Sequence, residues 1–130
     1  MTKTPKSHWK KEPDAHDFPA AADYLSLLLP LPLTDVVVAA LRKAALETRK
    51  AKDLLRSSQL PLLPADNIHV AKDLAKIKAG TKLSPVLVVR GDLSTGRSLT
   101  VADGYHRICA SYHVAEDADI PCRMADLPTV

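Results

Sequence analysis

The residues best suited to chemistry lie together where a predicted strand ends and a predicted helix begins. Apolar residues alternate over 98–102, the pattern of helix Tyr105–Val114 follows, and Gly104 lies between them. A strand that turns through glycine into a helix leaves backbone N–H groups free, and the helix dipole favours an anion beside them. His106 and Arg107 add a switchable and a permanent positive charge. The spacing therefore indicates a phosphate site.

The same residues also fit an ordinary helix start. Asp103 is a favoured capping residue, and Gly104 could serve only to make the turn. Arg107 could then pair with a surface carboxylate and contribute to stability. In a phosphate site, by contrast, Arg107 would serve the ligand, because a cation at a helix start is unfavourable until an anion arrives. The Gly-x-x-Arg spacing alone does not separate the two interpretations.

Three segments in the right order resemble the ParB/sulfiredoxin superfamily. Residues 103–110, DGYHRICA, resemble its signature, which is Gly-Gly-Cys-His-Arg in sulfiredoxins and Gly-Glu-Arg-Arg in ParB proteins. The likeness extends to 83–91, LSPVLVVRG, and to 119–123, DIPCR, and so covers residues 63–127. The chain is similar to a small bacterial-type member without a helix-turn-helix module. The resemblance implies an α+β fold, a small mixed sheet with helices, whose Gly-x-x-Arg turn binds a nucleotide's phosphates.

The resemblance carries over residue by residue. Gly104 and Arg107 match the phosphate-turn Gly and Arg, and His106 matches the sulfiredoxin His. Tyr105 stands where sulfiredoxins have their catalytic Cys. A phenol does not replace a thiolate nucleophile, so sulfiredoxin activity is not expected.

The ligand implied by the resemblance is ATP or another nucleoside triphosphate with Mg²⁺. Asp103 is expected to hold the magnesium ion or to act as a base, and His106 to contact phosphate or move a proton. These two are the predicted catalytic residues. Lys72, Lys76 and Lys82 are nearby candidates for a phosphate-binding lysine. The predicted nucleotide-binding residues are Gly104, Tyr105, His106, Arg107 and Lys72.

Composition bounds the class of protein. The chain has 130 residues, 25% charged and 46% hydrophobic, with a net charge of +3. No apolar run approaches a membrane span and no signal peptide is recognisable, so we predict a cytoplasmic protein with no membrane partner. Cys109 and Cys122 are predicted to be buried structural thiols, because no Cys or His spacing favours a metal site.

The N-terminal half is predicted to be helical. Residues 1–17, which include Trp9, are predicted to form a disordered tail, followed by a helical segment over 18–62. Within it we predict a short helix over 18–29 and a long helix from its N-cap Thr34 to Ser57. The long helix carries one apolar stripe formed by Val37, Leu41, Ala44, Thr48, Ala51 and Leu55. Its basic residues over 42–56 form either a solvated face or a nucleic-acid surface.

The C-terminal half, 63–130, is predicted to be the ParB/sulfiredoxin-like domain. A short strand over 67–70 precedes a helix over 71–79 capped by Gly80. The apolar run 86–89 predicts a central buried strand, with a turn over 92–96 and a hairpin partner over 98–102. The last strand is predicted over 120–124.

Three functions remain open from the sequence. The first is a nucleotide-binding protein, in its stronger form a nucleotide-dependent phosphotransferase or hydrolase. The second is a nucleic-acid-binding or nuclease-like protein. The third is a non-catalytic adaptor with the same fold.

Overall fold

The computed structural model describes residues 8–128 and has an α+β architecture, as predicted. The helices are α1 Asp17–Leu25, α2 Leu31–Lys43, α3 Ala51–Ser58, α4 Ile68–Ala79 and α5 Tyr105–Val114. The strands are β1 Glu47–Lys50, β2 Val86–Val89, β3 Thr100–Asp103 and β4 Asp119–Ala125. They form one mixed sheet in the order β1-β4-β2-β3, in which β2 and β4 are parallel and the other pairs antiparallel.

Strand β2 is buried on both faces and divides the core into two layers. Successive side chains of a strand point to opposite faces. Val86 and Val88 accordingly pack with residues of α3, α4 and α5, while Leu87 and Val89 pack with residues of α1 and α2. Burial of each such side chain contributes about 1.5–3 kcal/mol. The prediction of a central buried strand is confirmed, and the fold has helices on both sides of the sheet.

The predicted long helix from Thr34 to Ser57 is wrong. The chain leaves α2 after Lys43, forms the edge strand β1 beside β4, and then enters α3. Val37 belongs to one core layer and Leu55 to the other, so the apolar stripe does not lie on one helix. The helical propensity of residues 47–50 is overridden because they pair with the edge of β4, and residues 44–46 connect α2 to this strand. Thr34 lies inside α2, where its hydroxyl donates to the Pro30 carbonyl at 3.2 Å.

The predicted strand over 67–70 is also wrong. Asn67 is the N-cap of α4, and its side-chain oxygen accepts from the backbone N–H groups of His69 at 3.0 Å and Val70 at 3.2 Å. This capping is typical of Asn at a helix start. The predicted helix over 71–79 therefore begins three residues earlier, at Ile68, and Gly80 ends it in the left-handed conformation, as expected.

The prediction of a disordered tail over 1–17 is wrong for residues 8–17, while residues 1–7 lie outside the described part of the chain. Trp9 is 5% exposed and belongs to the core. The backbones of His8 and Lys10 each form a 2.7 Å hydrogen bond with Leu83. Asp17 is the buried first residue of α1. This segment lies against the sheet and helps to position the site described below.

The other elements follow the sequence predictions closely. The helix predicted over 18–29 ends four residues early, at Leu25, and Pro30 and Pro32 begin α2 where they were expected to stop α1. Strands β3 and β4 and helix α5 form where predicted. Within residues 8–128, no helix has the length and apolar character that crossing a membrane requires.

The cysteine prediction is confirmed. Both thiols, Cys109 and Cys122, are free and fully buried. Burial raises the pKa of Cys109 and raises that of Cys122 to about 11. Both side chains therefore act as small apolar core residues.

Candidate functional site

The turn between β3 and α5 is built around a glycine that no other residue replaces without rearrangement. Gly104 is the N-cap of α5 and has φ 112°, in the left-handed region. A Cβ at this position would lie 2.4 Å from Val86 Cγ1 and 3.0 Å from Arg107 Nη2. The turn therefore needs glycine both for its backbone angle and for its contact with β2.

Helix α5 begins without a side-chain cap. Its N-cap is Gly104, which has no side chain to accept a hydrogen bond, and Asp103, the capping residue of the alternative interpretation, does not accept one from the first turn. The helix start opens into a cavity of about 170 Å³, which we call the α5 cleft. Its lining residues are His69, Lys72, Asp73, Asp103, Gly104, Tyr105, His106 and Arg107. All five predicted nucleotide-binding residues thus line one cleft.

Arg107 is held by protein groups on the inner side of this cleft. Its Nη2 donates to Asp103 Oδ2 at 2.9 Å and to the Pro85 carbonyl at 3.3 Å, and lies 3.9 Å from Asp17 Oδ2. The Arg107 side chain is only 17% exposed. The pairing interpretation is therefore realised, although with partly buried carboxylates and not with a surface one. Removal of one partner from such a cluster leaves the remaining charge without compensation.

The two carboxylates differ in their surroundings. Asp17 is buried and accepts hydrogen bonds from Ser84 Oγ at 2.6 Å and from the Asp14 N–H at 3.1 Å. Burial raises the pKa of Asp103, with Asp17 adding to the rise, while Arg107 opposes it. In this geometry the Asp103 carboxylate is used by Arg107, so a role as base or magnesium ligand requires that it exchange this partner.

His106 lies at the mouth of the cleft beside a second histidine. Its ring centroid is 4.7 Å from that of His69. Burial is the main cause that lowers the pKa of His106, and His69 adds to it, while Asp73 opposes the shift. The lowered pKa favours the neutral imidazole, and a negative group bound nearby would favour the protonated form.

Tyr105 and the three candidate lysines differ in how they are placed relative to the α5 cleft. The Tyr105 hydroxyl donates to the Pro61 carbonyl at 2.5 Å, which ties the start of α5 to the segment after α3. Lys72 is exposed and lines the cleft, whereas Lys76 and Lys82 do not line it. Lys72 is thus the lysine that can contact an anion at this helix start.

Three residues of the site were missed from the sequence. His69 and Asp73 are four residues apart on α4 and so share a face. The strand predicted over 67–70 concealed that spacing. Asp17 had been assigned to the disordered tail, and no local pattern indicated that it would meet residues 84 and 107.

The predicted basic face over 42–56 does not exist as one surface. Arg42 stacks on the Phe18 ring, with its guanidinium carbon 4.6 Å from the ring centroid. Lys50 forms an ion pair with Asp119 at 2.6 Å at the other side of β1. The basic residues are distributed over α2, β1 and α3, so the continuous helical surface expected for nucleic acid is absent from the described structure.

Comparison with protein-family models, curated proteins and solved structures gives no match for this chain. The resemblance to the ParB/sulfiredoxin superfamily therefore stays a prediction. The chemistry of the α5 cleft is the feature of the molecule that bears on function.

Proposed function

We propose that the α5 cleft binds a phosphate group carried by a small ligand such as a nucleotide. The observation that carries the proposal is the uncapped start of α5, which opens into a cleft lined by Lys72 and two histidines. Free N–H groups at a helix start and the helix dipole both stabilise an anion. Lys72 supplies a mobile positive charge, and His106 supplies a second when protonated.

The size of the cleft fits one phosphate better than a whole nucleotide. A volume of about 170 Å³ lies below the range of about 300–1,000 Å³ typical of small-molecule sites. The rest of a nucleotide would therefore extend past the cleft mouth. Arg107 stabilises the turn and does not contact the phosphate itself in this proposal, because its guanidinium already donates to Asp103 and to the Pro85 carbonyl.

Phosphotransferase or hydrolase activity with Mg²⁺ is the narrower form of this proposal. It requires His106 to move a proton and Asp103 to leave Arg107 and bind the metal ion or act as base. A non-catalytic adaptor needs only the binding step. Turnover of ATP with Mg²⁺ separates the two, and neither predicts repair of sulfinylated peroxiredoxin, because Tyr105 lacks a thiol.

The binding step is tested by thermal unfolding in sulfate, a phosphate-like anion of constant charge. A ligand that binds only the folded state raises the melting temperature. We expect sulfate to stabilise the wild type more than Lys72→Ala and His106→Gln. Lys78→Ala is the matched control, since Lys78 is an exposed lysine of α4 outside the cleft. Equal stabilisation of all four proteins would contradict the proposal.

A further inference from the structure

A second and larger cavity lies at the opposite end of β2 from the α5 cleft. Its volume is about 540 Å³, within the range of about 300–1,000 Å³ typical of small-molecule sites. Four exposed arginines line it, and we call it the arginine groove. They are Arg49 of β1, Arg56 of α3, Arg90 after β2, and Arg97 after the short 3₁₀ helix Leu93–Thr95.

Backbone contacts fix the walls of this groove. The Leu99 N–H donates to the Ser57 carbonyl at 3.0 Å and so joins the loop after β2 to the end of α3. Asp92 and Arg97 exchange two backbone hydrogen bonds of 2.8 and 2.9 Å, which close that loop. A Cβ on Gly91 would lie 2.6 Å from the Arg97 carbonyl oxygen. These contacts hold the loop after β2 against α3, so the fold determines the shape of the groove.

The arginines keep unused donors despite their carboxylate neighbours. Arg90 uses Nε for Asp126 Oδ1 at 2.7 Å. Arg49 directs Nε and Nη2 at the same oxygen, Glu47 Oε1, at 2.8 and 2.6 Å. Neither guanidinium is engaged by both oxygens of a carboxylate, so N–H groups of each fork stay available. Exposed pairs of this kind contribute little stability, and a phosphate can join or replace them.

The other two arginines are engaged still less. Arg56 Nη1 lies 3.6 Å from Asp53 Oδ1, beyond hydrogen-bond distance. Arg97 forms no ion pair with a carboxylate of residues 8–128, and its Nη2 donates to the Arg90 carbonyl at 3.5 Å. The lining holds four arginines and only two aspartates, Asp53 and Asp92. The carboxylates paired with Arg49 and Arg90 lie beside the lining and balance the other two arginines, so the groove offers free guanidinium donors without a net positive charge.

The rest of the lining is largely apolar. Among its apolar side chains Leu93 is fully exposed and Met124 half-buried, so these two can contact a flat apolar group, whereas Leu54 and Leu99 are buried. We propose that the arginine groove binds a nucleoside phosphate, with its phosphates on the guanidinium groups and its base over the apolar residues. Guanidinium forks match the geometry of phosphate oxygens. This site is separate from the α5 cleft and does not depend on the function proposed for it.

The test uses ATP without metal and calorimetry on a background in which the α5 cleft is disabled by Lys72→Ala and His106→Gln. Adding Arg56→Ala and Arg97→Ala should weaken ATP binding at least about tenfold. Adding Lys78→Ala instead should leave the affinity unchanged. Both arginines are exposed, so the variants should melt like their parent. Unchanged affinity in the arginine variant, or equal loss in the lysine control, would overturn the proposal.

The same variants separate this proposal from the function proposed for the cleft. If ATP binding is lost in the cleft-disabled parent but survives when the arginines alone are replaced, the nucleotide binds in the α5 cleft and the groove proposal fails. If the cleft variants lose part of the sulfate stabilisation while ATP binding persists and depends on Arg56 and Arg97, the groove proposal is supported. A single-stranded thymidine oligomer that binds more tightly than ATP would overturn the assignment of a small ligand.

Discussion

Positive charge is arranged in opposite ways at the two ends of β2. At the end near Val86, Arg107 is mostly buried and contacts two carboxylates and a backbone carbonyl. At the end after Val89, the arginine groove presents exposed guanidinium groups with single or long contacts. The buried arginine supports the fold, whereas exposed ones are free to meet a ligand. The comparison shows that burial and partners, more than residue type, decide what an arginine does.

The largest effect is expected at the start of β2, where Gly104 packs against Val86. Gly104→Ala forces alanine into a left-handed backbone, which costs about 1–2 kcal/mol, and overpacks Val86, which costs about 1–3 kcal/mol. We therefore expect a loss of about 2–5 kcal/mol in the free energy of unfolding. Gly80→Ala is the control, since Gly80 has φ 79° but no atom within 4 Å of the new Cβ. Urea unfolding measures both. Equal losses would show that Val86 does not crowd the turn.

The next prediction compares the effect on stability of replacing one arginine at each end of β2. Arg107→Ala should lower the free energy of unfolding by about 2–3 kcal/mol, because Asp103 and Asp17 lose their partner. The loss is smaller than for a fully buried pair, since the Arg107 side chain is 17% exposed. Arg97→Ala should leave stability unchanged within error, since its side chain is exposed. The outcome that reverses the comparison is a stable Arg107 variant that has lost sulfate binding, for then Arg107 would serve the ligand.

Binding at the two ends should respond differently to pH. The pKa of His106 is lowered, so the folded apo protein binds fewer protons than the unfolded chain and loses stability on acidification through about pH 6.5. An anion in the α5 cleft favours the protonated imidazole. Sulfate affinity should therefore rise as pH falls from about 7.5 to 5.5, by at most about tenfold per pH unit.

His106→Gln should flatten this dependence, measured as sulfate stabilisation relative to the same protein without sulfate at each pH. ATP binding in the arginine groove should not strengthen on acidification, because arginine charge is fixed. A pH profile that is the same for both ligands would indicate that both occupy one site.

The smallest effect concerns the core between the two sites. Cys109 and Cys122 are fully buried with raised pKa values, so neither should react with a thiol reagent in the folded protein at neutral pH. Saturating sulfate or ATP should leave the labelling rate unchanged if the two sites are independent. Ligand-dependent exposure of either thiol would indicate coupling through the sheet.

The turn at Gly104 could be predicted from the sequence because its determinants are local. A strand period, a glycine and a helix period follow each other within residues 98–114, and the structure has β3 and α5 there. Residues 104–107 could also be grouped with Lys72 from the sequence, because the resemblance brought this lysine into the set. The structure has all five in the lining of one cleft. The role of Arg107 was not predictable, because it depends on Asp17, distant in sequence.

The errors have a common physical cause. Residues 47–50 have helical propensity but complete the sheet beside β4, and the mostly polar segment 8–17 is held through backbone hydrogen bonds of His8 and Lys10 with Leu83. In both cases hydrogen bonds to a distant segment decide the local structure. A single sequence does not reveal such partners. His69 and Asp73 were missed for a different reason, because Asn67, a local N-cap signal for α4, was assigned to a strand.

Strand β1 has a consequence for how the folded protein meets other chains. It is a short edge strand whose residues Glu47, Arg49 and Lys50 carry charge, and its outer backbone groups have no strand beside them among the described residues. Charged side chains on a short edge strand disfavour the addition of an extended segment from another molecule. The sheet thus ends in a strand that discourages intermolecular β-aggregation.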